Sequence, residues 1–597
     1  MKNLIYILAL FTLPVFGTNY YVKNGGSDIA AGTSDGAAWA TTTKVAGFAL
    51  QPGDSVFFNR GDLWRCTTHF YLVAGTSDAR VYYGYYGTGA KPLFLGSKEE
   101  NSTDDWVDQG DSIWRNSDAL FSTEVGNIIY NNNSVSKREL TQGNVNAQGE
   151  FYWSATGYID VYSTSNPATY YTDIECAMKN TSGIVYMSSR DYITIDGFDV
   201  RYGASIGIAA TNGASNITIK NCDVAFIGGA LSYSTTRLGN GIQFWRDATN
   251  ILIENNRVSN CLDAGITSQS AGTNSTITVS NFRIQNNIVI GCDMGIEWWY
   301  TETTGGTVTG VYIEHNTFHN SGRGLFHAQK TSNIRGSAMY ISTIANVTPT
   351  NCYVRNNIFS NALLYEIDYT SLWTLNSITK DYNIFNVGDV AVKYAGTEYA
   401  TLANWVTYSG DDANSISGDP DFVNASADSF QLVLGSPAIG AGLGVGVSYD
   451  YDGNYRADPP SIGAYEYDAT EPEPPPPVLP NLSAVSIFDL TINSVRFYAS
   501  VTDDGEATVT VRGFCYATTI NPTTAGAKTE NGTGEGAFEA NVSGLNNGTK
   551  YYVRAYATNS VWTAYSANIS FTTYSTDSQS FTSGGKRVIH TNKRVIK

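Results

Sequence analysis

The sequence predicts an all-β protein in which the middle of the chain, roughly residues 180–390, is a right-handed parallel β-helix built from stacked coils. Two features that recur in phase predict it: a short repeat of apolar and amide residues, and a glycine-led strand after most copies of that repeat. The composition agrees, because 58 Gly and 40 Tyr among 597 residues, with 15% charged residues, favour strands and turns over helices.

The repeat has apolar residues at its first and third positions, which face inward in a half-buried strand. Its copies begin every 24–41 residues, a spacing typical of solenoids and too short for the four-stranded blades of a β-propeller. The copies lie at residues 193–200, 217–224, 251–258, 282–289, 311–318, 352–359 and, with a poorer match, 378–385.

One position of the repeat holds a column of asparagines. Stacked coils would bring these side chains within one strand spacing of each other, about 4.8 Å, where amides can form a hydrogen-bonded ladder. A turn in the left-handed backbone conformation would also select Asn. The column contains Asn256, Asn287, Asn316, Asn357 and Asn383.

A second strand is predicted after five of the repeats, each beginning with glycine. In four of the five coils this glycine follows the start of the repeat by about 13–14 residues, and the second coil is longer through an insertion around residues 227–238. These glycines, called here the glycine column, are Gly207, Gly241, Gly265, Gly295 and Gly324.

The remaining segments follow from composition. A lysine followed by an apolar stretch too short to span a membrane predicts a signal peptide at the start, and no later segment is long and apolar enough to cross one. A proline-rich run predicts an extended linker before a module of short alternating strands. The predicted order is signal peptide 1–17, β-helix 18–470, linker 471–480, β-sandwich 481–574 and basic tail 575–597.

Charge and cysteine content exclude several classes of function. A formal net charge of −18 without a basic domain argues against nucleic acid as a partner. The seven cysteines are odd in number and scattered, which predicts buried thiols rather than a disulfide framework or a zinc site. No metal or other cofactor is predicted; residues 450–454 are similar to a calcium loop but lack its distal glutamate, so a plain turn is favoured.

Both ends of the predicted solenoid contain distinctive short segments, at residues 20–28, 50–64, 86–92, 419–423, 436–442 and 450–466. These segments resemble secreted bacterial β-helix proteins of the pectate-lyase-like superfamily. Residues 548–560 resemble the late strand of fibronectin type III-like modules. The superfamily resemblance implies a secreted or cell-surface protein whose ligand is a polysaccharide or other glycan. The glycine-aspartate-lysine signatures associated with pectate lyases are absent, which argues against a calcium-dependent pectate lyase.

Three carboxylates near the glycine column are the predicted catalytic residues. Asp263 and Asp293 each precede a column glycine by two residues, so stacking would bring their carboxyls to about 5 Å, the separation found in retaining glycosidases. Like charges at that separation raise one pKa, as an acid–base pair requires. Glu297 follows its glycine by two residues and points away from the core. The alternative for the aspartates is turn hydrogen bonding.

Aromatic and polar residues beside these carboxylates predict a sugar-binding surface. Two aromatic-rich segments at matching positions would form a platform for the apolar faces of sugar rings, unless they serve core packing. The predicted substrate-binding residues are Gln243, Trp245, Arg246, Asp247, Trp298, Trp299, Tyr300, Arg323 and Lys330.

The function predicted from these residues is cleavage of a polysaccharide in a groove on the β-helix. Glycoside hydrolysis is preferred over a lyase reaction because carboxylates outnumber bases; a lyase would use His327 or Lys330 as the base. The alternative, from another class, is a non-catalytic glycan-binding adhesin or a fibre similar to phage tailspikes.

Overall fold

The computed structural model describes residues 17–575 with short gaps, and four residues beyond them. Contacts divide the chain into two compact units, residues 1–470 and 471–597. The predicted signal peptide, apart from Gly17, lies outside the described residues, as does most of the predicted linker. The gaps are 78, 118–120, 122, 181, 233–235, 271–275, 301–304, 327–328, 331–333, 344–346, 371–376, 387–389, 468–477 and 506; beyond 575 only 582–583 and 586–587 are described.

The first unit is a right-handed parallel β-helix, which confirms the predicted fold class. Its coils contribute strands to three long sheets, named here the first, second and third sheet. The first sheet contains Asn19–Val22, Ser55–Asn59, Val81–Tyr86, Asp191–Asp196, Ala214–Lys220, Ala248–Glu254, Ile277–Gln285, Gly306–Glu314, Val347–Thr350, Cys352–Arg355 and Ile378–Asp381. The second contains Leu63–Arg65, Leu93–Leu95, Asp199–Arg201, Asp223–Ile227, Arg257–Cys261, Ile288–Ile290, Thr317–His319, Ile358–Ser360, Ile384–Asn386 and Ile416–Ser417. The third contains Phe70–Tyr71, Val185–Ser188, Ile206–Thr211, Asn240–Trp245, Ala264–Ser270, Met294–Tyr300, Ser337–Thr343, Tyr365–Tyr369, Val390–Tyr394 and Thr397–Tyr399.

Each copy of the sequence repeat is two strands rather than one. The chain leaves the first sheet, bends at a residue in the left-handed conformation and enters the second sheet. Asn255, Asn286 and Asn356 occupy this bend with φ between 55° and 58°, which explains why asparagine is frequent there. The left-handed residue therefore precedes the asparagine column and does not belong to it.

The asparagine column is a buried ladder, as predicted. Its five side chains are fully buried, and in the first four coils Nδ2 donates to the Oδ1 of the asparagine in the next coil at 3.0–3.1 Å. The last, Asn383, donates instead to Asp412 Oδ1 at 3.1 Å. Asn316, for example, also donates to the carbonyl of Ile284 at 2.9 Å and accepts from the backbone N–H of Asn287 at 2.9 Å. Each amide thus satisfies polar groups that the bend leaves inside the solenoid.

The glycine column results from close approach between coils. A Cβ on Gly241 would lie 2.6 Å from the carbonyl oxygen of Gly265, and one on Gly265 would lie 2.4 Å from Cγ1 of Val289. The prediction for Gly324 is wrong. An inserted loop follows residue 320, so that Met339, in the strand Ser337–Thr343, pairs with Ile296.

An insertion between the second and third sheets was not predicted. Residues 97–178 form an antiparallel four-stranded sheet and a mixed five-stranded sheet, in which Arg138–Glu139 pairs in parallel with Phe151–Trp153. The buried side chains of Ile129 and Ala177 share a core with Leu95 and Ala225 of the second sheet. The four-stranded sheet contains Ser97–Glu99, Val125–Tyr130, Ser134–Val135 and Ile174–Met178. The five-stranded sheet contains Trp106–Asp108, Ile113–Asn116, Arg138–Glu139, Phe151–Trp153 and Ile159–Tyr162.

The segment after the last coil covers the side of the solenoid. Its hairpin, Phe422–Asn424 and Ser429–Leu432, packs Phe430 against Ile288 and Ile290, which point outward from the second sheet. The α-helices are Thr42–Gly47, Pro167–Tyr170 and Leu402–Ser409, and the 3₁₀ helices are Asp35–Ala37, Thr103–Asp105, Gln142–Asn144 and Ala425–Ala427. All described helices are too short or too polar to span a membrane.

The second unit is a small β-sandwich, as predicted, with Phe497 and Phe514 in its core. Its likeness to fibronectin type III modules stays a prediction. One sheet contains Asn481–Leu482, Ser486–Phe488, Ser494–Asp503 and Gly536–Ser543; the other contains Val511–Ala517, Lys550–Thr558, Thr563–Tyr565 and Ile569–Thr572. In the predicted basic tail, Thr582–Ser583 pairs with Lys586–Arg587. All seven cysteines are buried and free, which confirms the prediction of thiols.

We expect Asn316→Ala to lower the free energy of unfolding of the solenoid by on the order of 2–3 kcal/mol, because it leaves buried partners without hydrogen bonds. Chemical denaturation measures this change. The control is Asn281→Gly, which removes an exposed amide bonded to Asn250 and keeps its positive φ. A control loss as large as that of Asn316→Ala would contradict the assigned role of the ladder.

Candidate active site on the third sheet

The outer face of the third sheet carries a row of polar side chains at one register position. We call this row the polar column. Although its members point away from the core, Thr267, Glu297 and Asp368 are each less than 10% exposed. Their backbones are one strand spacing apart, about 4.8 Å. In coil order the polar column contains Gln243, Thr267, Glu297, Tyr340, Asp368 and Lys393.

Glu297 lies in the middle of the polar column and is only 8% exposed. Met294 precedes it on the strand, and Trp299 packs against the cluster of Met294, Ala264 and Tyr340. Thr267 Oγ1 donates to Glu297 Oε2 at 3.1 Å. Burial, together with the negative charge of Asp263, raises the pKa of Glu297 to about 8. Glu297 is therefore mostly protonated at neutral pH.

Asp263 and Asp293 lie in successive coils and share one cation. Lys330 Nζ donates to Asp263 Oδ1 at 2.9 Å and to Asp293 Oδ2 at 2.5 Å. Burial lowers the pKa of Lys330, but the attraction of the two carboxylates outweighs it and raises that pKa above its usual value. The expected adjacency of the aspartates is observed, and the ammonium group of Lys330 bonds to both carboxyl groups.

This geometry corrects two of the predicted roles. Asp293 is only 6% exposed and accepts the backbone N–H groups of Arg335 and Gly336 at 3.1 Å, so it fixes the loop that precedes the next coil. The alternative of turn hydrogen bonding is the one that describes Asp293. Lys330 cannot serve as a base, because it is protonated and bound to two carboxylates. Asp263 keeps 27% of its side chain exposed and remains available.

The structure removes two residues from the predicted aromatic platform, and sugar binding by the others stays a prediction. Trp298 and Tyr300 point inward and are 3% and 0% exposed, since alternate residues of a strand face opposite sides. Trp245 and Trp299 point outward, are half-buried, and occupy one register position with the buried Gln269 between them.

Gln243 lies in the polar column and is held by neighbouring amides. Its Oε1 accepts from Asn240 Nδ2 at 2.8 Å and from Gln269 Nε2 at 3.1 Å. Gln243 therefore has a fixed orientation at the sheet surface. Asn240 in turn accepts the backbone N–H of Ala264 at 3.0 Å, which connects this network to the next coil.

The remaining predicted residues do not belong to the polar column. Arg246 and Asp247 are exposed in the bend after Trp245, where Asp247 accepts the backbone N–H of Thr278 at 2.6 Å. Arg323 is exposed and donates to the carbonyls of Asn361 and Ala362 at 3.0 and 3.3 Å, and its role in substrate binding stays a prediction. His327, the predicted lyase base, lies outside the described residues.

Sequence reasoning missed Tyr340 and Asp368. They follow Met339 and Ile367 in the same apolar-then-polar order in which Glu297 follows Ile296. The insertion after residue 320 concealed this order by shifting the expected register. Arg335 lies over the ring of Tyr340, with its Cζ 4.6 Å from the ring centroid, and adds a positive charge to this end of the polar column.

The turn at residues 450–454 is hydrogen-bonded within itself. Asp450 is fully buried, and its carboxylate accepts the backbone N–H groups of Asn454 and Glu466 at 2.7 and 2.9 Å. These bonds account for the aspartate as a turn residue. Among the described residues, the acidic side chains that converge closely enough to hold a metal ion are Asp503, Asp504 and Glu535, in the β-sandwich.

Comparisons with known proteins agree with the fold. Residues 147–318 match the family described as right-handed β-helix region. Over 92 residues, 14% of this chain, the sequence is 37% identical to lacto-N-biosidase from Bifidobacterium longum subsp. longum, and the match covers 6% of that protein's length.

Two solved structures are similar over larger parts of the chain, at low identity. The lacto-N-biosidase of Eubacterium ramulus, of glycoside hydrolase family GH136, is 16% identical with a TM-score of 0.37; the alignment covers 63% of this chain and 57% of that one. Pectate lyase Pel9A is 12% identical with a TM-score of 0.38, over 76% of this chain and 97% of that one.

The raised pKa of Glu297 makes the stability of the solenoid depend on pH. Above about pH 4.5 the unfolded chain releases this proton, whereas the folded chain keeps it until about pH 8. The wild type should therefore lose stability relative to Glu297→Gln as pH rises through this window, by roughly 1 kcal/mol per pH unit. Urea denaturation of both proteins at several pH values measures this difference. Parallel stability curves would contradict the protonated state.

Proposed function

We propose that the protein is an exported glycoside hydrolase that cleaves a polysaccharide or oligosaccharide on the outer face of the third sheet. The observation that carries the proposal is the buried Glu297, beside an ion-paired aspartate and two outward-facing tryptophans. Glycosidases require one protonated and one ionised carboxyl group, and the environments of Glu297 and Asp263 differ in this sense.

Glu297 would act as the general acid. Its burial and the charge of Asp263 favour the neutral carboxyl, which can donate a proton to the oxygen of the leaving sugar. Thr267 bonds to Oε2 and limits rotation of the carboxyl group. Hydrolysis begins with this proton donation, so the rate should fall as Glu297 loses its proton.

Asp263 would supply the second carboxylate. It is the more exposed of the two aspartates bound by Lys330, and its charge already influences Glu297. As an ionised group it can stabilise the positive charge that develops on the sugar ring, or attack the ring directly. Lys330 and Asp293 would act as positioning residues, because they hold Asp263 without facing the sugar.

A lyase reaction is less well supported. It needs a base near the sugar and a cation that neutralises a uronate, whereas Lys330 is protonated and engaged by two carboxylates. The similar proteins include two lacto-N-biosidases and one pectate lyase, and we infer from them that this chain also acts on glycans. Residues 243–299 carry the proposed site.

We expect Glu297→Gln and Asp263→Asn each to reduce kcat/KM by roughly 10²–10⁴-fold on the polysaccharide that the wild type cleaves. Reducing ends measure hydrolysis, and ultraviolet absorbance of unsaturated sugars measures a lyase reaction. The wild-type rate should also decline above about pH 8. The matched control is Glu254→Gln, a glutamate on the first sheet bonded to Gln285, which should retain activity.

Three outcomes would contradict the proposal. Full activity of Glu297→Gln would show that Glu297 is not the general acid. Unsaturated products would identify a lyase. Binding of glycans without cleavage of any would support the adhesin or fibre alternative instead.

A further inference from the structure

The polar column continues toward the N-terminal end of the third sheet, where it becomes aromatic. Thr267 and Gln243 are followed in register by Ala209, then Tyr186, then Tyr71. These tyrosines therefore point out of the same face as Glu297. From Tyr186 to Glu297 there are four strand spacings, about 19 Å.

The aromatic residues at this end form a cluster with fixed geometry. The rings of Tyr71 and Tyr186 are 5.5 Å apart at an angle of 63°, and His69 lies 5.2 Å from Tyr186. Tyr71 donates its hydroxyl to the carbonyl of Ser188 at 3.2 Å, and the Tyr186 hydroxyl is 2.9 Å from Thr211 Oγ1. Arg190 lies over Tyr71, with its Cζ 4.7 Å from the ring centroid.

The cluster is accessible and fixed before any ligand binds. Tyr71 and Tyr186 are half-buried, and His69 is exposed. Because the hydroxyls are already bonded to the protein, the rings lose little conformational freedom when a sugar stacks on them. Between the cluster and Gln243 the column contains Ala209, which is fully buried. The backbone at Gly183 lies close to this alanine, because a Cβ on Gly183 would lie 3.0 Å from Ala209 Cβ, so a ligand that joins the two regions would pass over Gly183.

We propose that Tyr71, Tyr186 and His69 form a distal sugar-binding site, so that the ligand is a glycan chain that lies across the coils. This inference rests on the proposed function, because it takes Glu297 as the point of cleavage. A disaccharide cannot reach from Tyr186 to Glu297, whereas a chain of several sugars can. The substrate class is therefore an extended oligosaccharide or polysaccharide, bound both at this cluster and at Glu297.

The test measures affinity and cleavage against chain length with the full-length protein. Binding is measured with the Glu297→Gln variant, which should not cleave the ligands. The ligands are an array of neutral and acidic oligosaccharides, from disaccharides to decasaccharides. Affinity for bound glycans should increase with chain length. Adding Tyr186→Ala should reduce affinity for hexasaccharides and longer chains roughly five- to ten-fold, and leave disaccharides unaffected.

Two matched variants separate stacking from folding. Tyr186→Phe keeps the ring and should bind as the Glu297→Gln variant does. Tyr353→Ala removes an outward tyrosine of the first sheet that stacks on Tyr312 at 5.6 Å, and should have no effect at any length. Cleavage by Tyr186→Ala in the otherwise wild-type protein should show a raised KM for long chains with kcat unchanged.

The outcomes distinguish this inference from the proposed function. If the protein cleaves glycans but Tyr186→Ala matches the wild type at every length, the distal site is wrong and hydrolysis stands. If affinity depends on length and on Tyr186 but no glycan is cleaved, the distal site stands and hydrolysis is wrong. If no array member binds, or affinity does not depend on length, the inference is overturned.

Discussion

The structure depends on the hydrogen bonding of each coil to the next in strict register. Along the sheets this bonding uses backbone groups, and at the bend between the first and second sheets it uses the buried amides of Asn256 to Asn383. A shift by one residue would turn every inward side chain outward and would separate the amides from their partners. Residues separated by 24 or more positions in the chain thereby become fixed neighbours, and the site is built from such neighbours.

The register also determines which side chains of each strand face the core and which face the candidate site. On the third sheet Ile266 and Ile296 pack inside the solenoid, whereas Thr267 and Glu297, one residue later, meet on the outer face. The same alternation sends Trp298 into the core and leaves Trp299 outside. The outward carboxyl of Glu297 is buried and therefore poorly hydrated, and this burial, with the charge of Asp263, is why Glu297 retains its proton.

The outer faces of the solenoid are not equivalent. The insertion 97–178 and the C-terminal hairpin pack against the second sheet, and the insertion also contacts the loop that carries Lys330. Gln329, adjacent to this lysine, donates to Asn127 of the insertion at 3.2 Å. Through this contact a segment remote in sequence contributes to the position of the cation that binds Asp263, so the insertion supports the site without contributing a side chain to it.

The sequence by itself determined the solenoid, the amide ladder and the neighbourhood of Asp263, Asp293 and Glu297, because the constraints behind them are local and recur in every coil. It could not assign the partners of the two aspartates, since Lys330 comes from an inserted loop with no counterpart in the other coils. It also missed Tyr340 and Asp368, whose register is visible only once that loop is set aside. Tertiary structure decided these points, because an insertion in one coil changes the number of residues between equivalent strand positions. The stacking of the strands in space is unchanged.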